Sequence, residues 1–187
     1  MSVKVWTRRP EAEQRALQPE TSIRPITAPP SDLDELKATS NSFTLDTFTV
    51  EDAWVLGNLL RSRLLPLPEA TVISIALANT SQVVFHCVTG SGVMPDNEIW
   101  VQRKRNTVLR WGCSTWFMHC KFDGDEATFR TKFGMSEEQA GKYAIHGGAI
   151  PIYVRGVEGV VAVVVVSGLK QHEDHGVIAD VIMENWQ

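Results

Sequence analysis

The apolar positions of this chain follow two rhythms. Val160 to Val166 (VVAVVVV) is β-branched and apolar without alternation. A strand of that kind must be covered on both faces, so it is central in a layered domain. Ala149 to Val154 predicts its hairpin partner, with Arg155 to Gly159 as the turn. Thr71 to Asn79 and Gln82 to Thr89 predict another hairpin across Thr80 and Ser81. The FTLDTF segment from Phe43 reads as an extended stretch that supplies a fifth strand at a sheet edge.

Helical spacing governs the rest. Ala53, Leu56, Leu59, Leu60 and Leu64 form one stripe. Thr49 with Asp52 makes a near-capping box before it, and Pro66 and Pro68 end it. Glu98 to Lys121 predicts one long helix, with Trp100, Lys104, Val108, Trp111, Thr115 and Met118 along a face. Asp125 to Phe133 and Ser136 to Tyr143 predict shorter helices, the latter with a Ser136/Gln139 capping box. A last helix from about Gln171 buries Ile178, Val181, Ile182 and Trp186. The order is helix, two strands, helices, two strands, helix. That order predicts an α+β fold, an antiparallel sheet of about five strands flanked by helices. Residues 1–40 carry Pro10, Pro19, Pro25, Pro29 and Pro30 without a hydrophobic period. They read as a partly irregular N-terminal extension, with Trp6, Ile23 and Ile26 able to dock on a neighbouring surface. Residues 41–187 form the single domain.

Composition narrows the class of function. The chain has 187 residues, 43% of them hydrophobic, enough for one sizeable core. A net charge of −4 gives no reason to expect nucleic acid or an anionic membrane as a partner. The longest apolar run falls short of the roughly 18 residues a membrane span needs. The first residues lack the apolar region of a secretory signal, so a cytoplasmic protein is expected. Cys113 and Cys120, seven positions apart on the predicted long helix, would lie about 10 Å apart along it. A disulfide needs Cα atoms within about 7 Å, so reduced thiols are expected.

Several side chains are candidates for chemistry. Arg103, Asn106 and Arg110 share a stripe beside the apolar face of the long helix. Guanidinium groups there suit bidentate capture of a carboxylate or phosphate. The alternative is a solvated face or ion pairs with a neighbouring subunit. His172 and His175, three apart, are spaced for one metal, but no linear spacing supplies further ligands and no metal site is expected. Asp174 leans toward the buried stripe, placed to cap backbone N–H groups or to pair with an arginine. His146 precedes Gly147 and Gly148 and is placed to reach an adjacent pocket as acid, base or ligand. His86, His119 and the three cysteines read as structural. No nucleophile elbow, P-loop, dinucleotide fingerprint or CxxC is present.

Two longer segments carry a resemblance. DNEIWVQRKRNTVLRWGCSTWFM, residues 96–118, and HGGAIPIYVRGVEGVVAVVVVSGLKQHEDH, residues 146–175, resemble the haem-degrading-domain family, the GlcG/HbpS-like proteins. They are most similar to its cytosolic branch of bacteria and fungi, marked by a tryptophan before RKRNTV, an HGG-x-x-PI strand, SGL, and D-H at the start of the last helix. Trp100, Arg103 to Val108, His146 to Gly148, Pro151, Ile152, Ser167 to Leu169, Asp174 and His175 stand at those places. The resemblance implies a profilin-like α–β sandwich and a dimer that builds larger rings such as octamers or decamers. It carries over no activity and no haem-contacting residue.

The expectation is a homo-oligomer that binds a small anionic ligand near a subunit interface, lined by Arg103, Arg110, His146, Asp174 and His175. Three alternatives stand beside it. One is an enzyme in which His146 or His175 moves a proton and an arginine holds an oxyanion. Another is a haem or tetrapyrrole binder. The last is an adaptor whose assembly surface is its function.

Overall fold

The computed structural model describes residues 3–187. In chain order its elements are β1 (Val5–Trp6), α1 (Ala12–Ala16), α2 (Leu33–Thr39), β2 (Phe43–Leu45), α3 (Val50–Leu64), β3 (Val72–Leu77) and β4 (Val83–Val88). They continue with α4 (Pro95–Trp111), α5 (Thr115–Lys121), α6 (Glu126–Lys132), α7 (Glu137–Ala140), β5 (Ala149–Val154), β6 (Ala162–Ser167) and α8 (Gln171–Asn185). One mixed sheet runs β1-β2-β5-β6-β3-β4. The β3–β4 and β5–β6 hairpins are antiparallel and are joined through the antiparallel β3–β6 pair.

β6 explains why the valine run has no polar face. Val163 and Val165 pack with Val101 and Val108 of α4 on one side of the sheet. Ala162, Val164 and Val166 pack into the main core with α3 and α8 on the other. Full burial of such side chains is worth about 1.5–3 kcal/mol each. Two helical layers therefore enclose the sheet, and the ends of β5 and β6 emerge between them.

Three expectations are corrected. The sheet has six strands rather than about five, because Val5–Trp6 pairs with Phe43–Leu45 and adds β1. β2 is consequently not an edge strand; it runs parallel to both β1 and β5. The long helix is two helices. Gly112 takes a left-handed φ of 65° and closes α4, and the Ser114 hydroxyl then accepts from Phe117 N–H to open α5. Thr115 and Met118 are buried in α5 as Lys104 and Val108 are in α4, so the spacing runs on across the break and periodicity could not reveal it. Cys113 falls in the break and Cys120 in α5, and the three cysteines are free.

Between residues 3 and 40 several segments pack against the rest of the chain. Trp6 meets Phe43 edge-on at 5.7 Å. Ala12 and Leu36 are fully buried. Between α1 and α2 the chain forms a strap over α8. Arg24 bridges Glu20 and Glu184, Thr27 N–H donates to Asp180 at 2.9 Å, and Trp116 Nε1 donates to the Pro30 carbonyl. A third apolar cluster, Met118, Phe129, Met135 and Ile145 with Trp111 and Tyr143, supports the α5–α7 region.

Candidate functional site

Lys104 sits in the middle of α4 on the stripe that faces the sheet. An ammonium there needs partners, since an unpaired buried charge is costly. It has two. Lys104 Nζ donates to Asp174 Oδ2 at 2.9 Å and to the Val166 carbonyl at 3.1 Å. Both side chains are only 3% exposed. The other Asp174 oxygen accepts from Leu169 N–H at 3.0 Å. Burial pushes the Asp174 carboxyl up from its ordinary value, against the pull of Lys104 and of the Leu169 amide. Its two oxygens accept from the Lys104 ammonium and the Leu169 amide.

The surrounding motif residues build this floor. The Thr107 hydroxyl donates to the Ala144 carbonyl at 2.8 Å, Arg103 Nε donates to the Tyr143 carbonyl at 3.0 Å and Asn106 donates to the Lys142 carbonyl at 2.9 Å. The RKRNT run thus stitches α4 to residues 142–144 and sets the HGG turn beside it. Gly148, at φ 114°, passes so close that a Cβ would lie 2.6 Å from Lys104 Nζ and 2.7 Å from Asp174 Cβ. The two segments singled out in the sequence therefore meet.

Above the pair opens a hollow of about 540 Å³, lined by Asn97, Trp100, Lys104, His146, the Ser167–His172 turn and Asp174. Lys104 comes from α4, His146 from the HGG turn, and Asp174 from the first turn of α8. The α8 N-terminus places a partial positive charge at the rim. His146 meets Trp100 edge-on at 4.8 Å, and its Nδ1 lies 3.6 Å from Glu126 Oε1 on α6. Burial holds the His146 pKa below the usual imidazole value despite Glu126, which leaves the ring neutral near pH 7.

Of the five side chains expected to line a pocket, the fold brings His146 and Asp174 to the hollow. Arg103 turns aside, stacking over Trp100 and facing Glu126 at 3.6 Å. Arg110 lies between the Trp111 and Tyr143 rings, with Nη1 3.2 Å from Met135 Sδ. His175 is fully buried, with Nε2 3.2 Å from the Ser40 hydroxyl. His172 lines the hollow while His175 does not, and among the described residues no cluster of metal-ligating side chains occurs. Asp174 both caps and pairs, with a lysine where an arginine was expected. Lining residues outside that expected set of five include Lys104, from the basic cluster of α4, Ser167 and Gln171. Their signal was a lysine on an apolar stripe and an aspartate on a buried one, two charges that must find each other.

His175 carries a pH prediction. Burial drives its pKa down to about 3, whereas an unfolded histidine protonates near 6.5. The unfolded chain therefore binds a proton that the folded chain refuses. Stability present above about pH 6.5 is lost as pH falls, by up to about 1.4 kcal/mol per unit for this group. Urea unfolding of the protein and of His175→Asn, from about pH 7 to about pH 5, is expected to differ in slope by about one proton. Parallel profiles would contradict a sealed, neutral His175.

A family model described as haem degrading protein, HbpS-like, matches residues 48–183. The chain belongs to this family. A UPF0303 protein of Streptomyces avermitilis is 39% identical over 159 residues, covering 83% of this chain and 91% of its own. The UPF0303 protein YBR137W of Saccharomyces cerevisiae is 40% identical over 145 residues, covering 76% and 78%. The crystal structure of the Ybr137w protein superposes with a TM-score of 0.73 at 35% identity, over 82% of this chain and 87% of that one. The HbpS structure, at 16% identity and a TM-score of 0.52 over 73% and 88%, shares the fold. Family members thus have the same α+β framework, and the family match spans the elements that build the hollow. Among the described residues no helix is long and apolar enough to cross a membrane.

Proposed function

We propose that the hollow above the Lys104–Asp174 pair binds a small anionic molecule, a carboxylate or a phosphate. One observation carries this reading. A buried ammonium forms part of the floor beside the start of a 15-residue helix, inside a concavity of ligand size. An ammonium has three N–H groups, and protein atoms take two of those on Lys104. Trp100 and Leu169 add apolar wall, and His146 and Gln171 add polar edges. The lining is thus His146 and Asp174 with Lys104 and the Ser167–His172 turn, and Arg103 acts by holding Trp100 and the 143 loop.

The same reading includes assembly and location. β4 is an edge strand whose Val83 and Val88 are exposed, with Met94 and Ile99 exposed at the start of α4. Apolar edge strands need cover. A second copy seated there would lie beside the hollow, because Asn97 and Trp100 come from the same end of α4. Free cysteines fit a cytosolic homo-oligomer.

Calorimetric titration with acetate, benzoate and inorganic phosphate tests the binding reading. At least one is expected to bind saturably, about tenfold more weakly in His146→Ala or Trp100→Ala, in line with about 1.4 kcal/mol per side chain. Absence of saturable binding by all three overturns it. Haemin is the counter-probe, given that the family description names haem. A saturable Soret shift lost in His146→Ala would replace the small anion with a tetrapyrrole.

A further inference from the structure

The ligand class follows from which charges in the hollow are already spent. Resting on the reading that this hollow binds an anion, we propose that it selects a monocarboxylate with a flat apolar body and rejects phosphate esters and dicarboxylates.

Lys104 does not offer a free charge. Its partner Asp174 lies 2.9 Å away and is equally buried, so the pair is close to neutral as seen from the hollow. What remains toward the cavity is mostly neutral donors. The third Lys104 N–H is one donor, its charge matched by Asp174. Ser167 is another: the residue is 5% exposed, lines the hollow, and its hydroxyl makes no hydrogen bond among the described residues. Asn97 has its Oδ1 occupied by Met94 N–H at 2.7 Å, which leaves its amide N–H groups to donate. The backbone N–H groups of Gln171 and His172 open α8 and have no intrahelical acceptor. The one further lysine on the lining is Lys170, at the rim. No arginine lines the hollow, so a fork for a phosphate is missing.

This balance suits one negative charge. The two oxygens of a carboxylate accept from several neutral donors, a strong charge-assisted arrangement. A second negative charge would find no further cation on the floor, where Lys104 is already matched by Asp174, and only the exposed Lys170 at the rim. His146, held neutral by burial, offers a ring nitrogen and no compensating charge. Trp100 and Leu169 supply the apolar wall for the body of the ligand. An indole wall favours a flat ring, since stacked or edge-on aromatic pairs add attraction beyond area burial. A hollow of about 540 Å³ has room for a bicyclic ring with its acid group.

The test compares three probes that share one ring system, namely naphthoate, naphthyl phosphate and naphthalene dicarboxylate, by calorimetry at pH near 7.5. Naphthoate is expected to bind at least about tenfold more tightly than either dianion. Its affinity is expected to fall roughly fivefold in Ser167→Ala, the scale of one lost hydrogen bond. Equal or tighter binding of the phosphate or the dicarboxylate overturns the monocarboxylate inference and leaves the anion reading standing. Failure of all three probes, together with acetate, benzoate and inorganic phosphate, overturns both. Naphthoate binding that Ser167→Ala does not alter also overturns the inference, because the acid group then lies away from this floor.

Discussion

Replacing Lys104 with methionine is expected to lower stability by about 3–5 kcal/mol, the usual cost of stripping one partner from a buried ion pair. The reason lies in what stays behind. Asp174 remains, its side chain 3% exposed, with one oxygen still held by Leu169 N–H and the other facing nothing. An isolated carboxylate in that place recovers by taking a proton, and burial raises its pKa, so the loss is expected to shrink steadily as pH falls toward the ordinary aspartate value of about 3.9. Urea denaturation of the single variant and of Lys104→Met/Asp174→Leu supplies the check. The double variant removes both charges and is expected to regain most of the loss, because a well-packed apolar pair often matches a buried salt bridge. A single-variant cost under about 1 kcal/mol, the value for exposed pairs, would mean that water reaches the pair. The floor of the hollow would then be wrongly described.

Gly148→Ala is expected to cost about 2–6 kcal/mol, combining strain at a left-handed backbone angle with overpacking. At φ 114° an L side chain is strained whatever its surroundings, and here the surroundings are full. The added carbon would meet Lys104 Nζ at 2.6 Å and Asp174 Cβ at 2.7 Å, and the Val166 carbonyl as well. None of these is a flexible end free to move. Lys104 is held by two acceptors, and Asp174 is anchored in the first turn of α8. Gly148→Ala is therefore expected to weaken any ligand of the hollow along with the fold. Gly156→Ala, also at positive φ but with nothing within 4 Å, separates the two causes. It is expected to show the backbone cost alone, about 1–3 kcal/mol. Equal losses at both positions in thermal or urea unfolding would show that crowding at the pair adds nothing.

Local pattern carried much of the framework. The unbroken valine run could only be a strand covered twice, and β6 is that strand. The Thr49/Asp52 box and the prolines after Leu65 bracketed α3 to within a residue. The break at Gly112 stayed hidden because a stripe reports which side is buried and not whether the helix is continuous. β1 stayed hidden too, since two residues make no period; Val5 and Trp6 become a strand only because β2 is there to pair with them.

The hollow divides along the same line. Composition and spacing marked the residue types, with basic side chains on α4, a histidine before two glycines, and an aspartate on a buried face. They could not choose among four neighbouring cations. Arg103, Lys104, Arg105 and Arg110 look alike along the chain, and helical rotation sends each somewhere different. Arg103 goes to Glu126, Arg105 to Ser74, Arg110 into an aromatic sandwich, and Lys104 to Asp174. Nor could the chain alone tell that His172 faces the cavity while His175, three positions on, is sealed behind it. Covalent order and hydrophobic rhythm settle which segments become helices and strands, because those depend on neighbours a few residues away. Which charges neutralise one another is set across 70 positions of chain, between α4 and α8, and that pairing exists only once the sheet has brought the two helices to its ends.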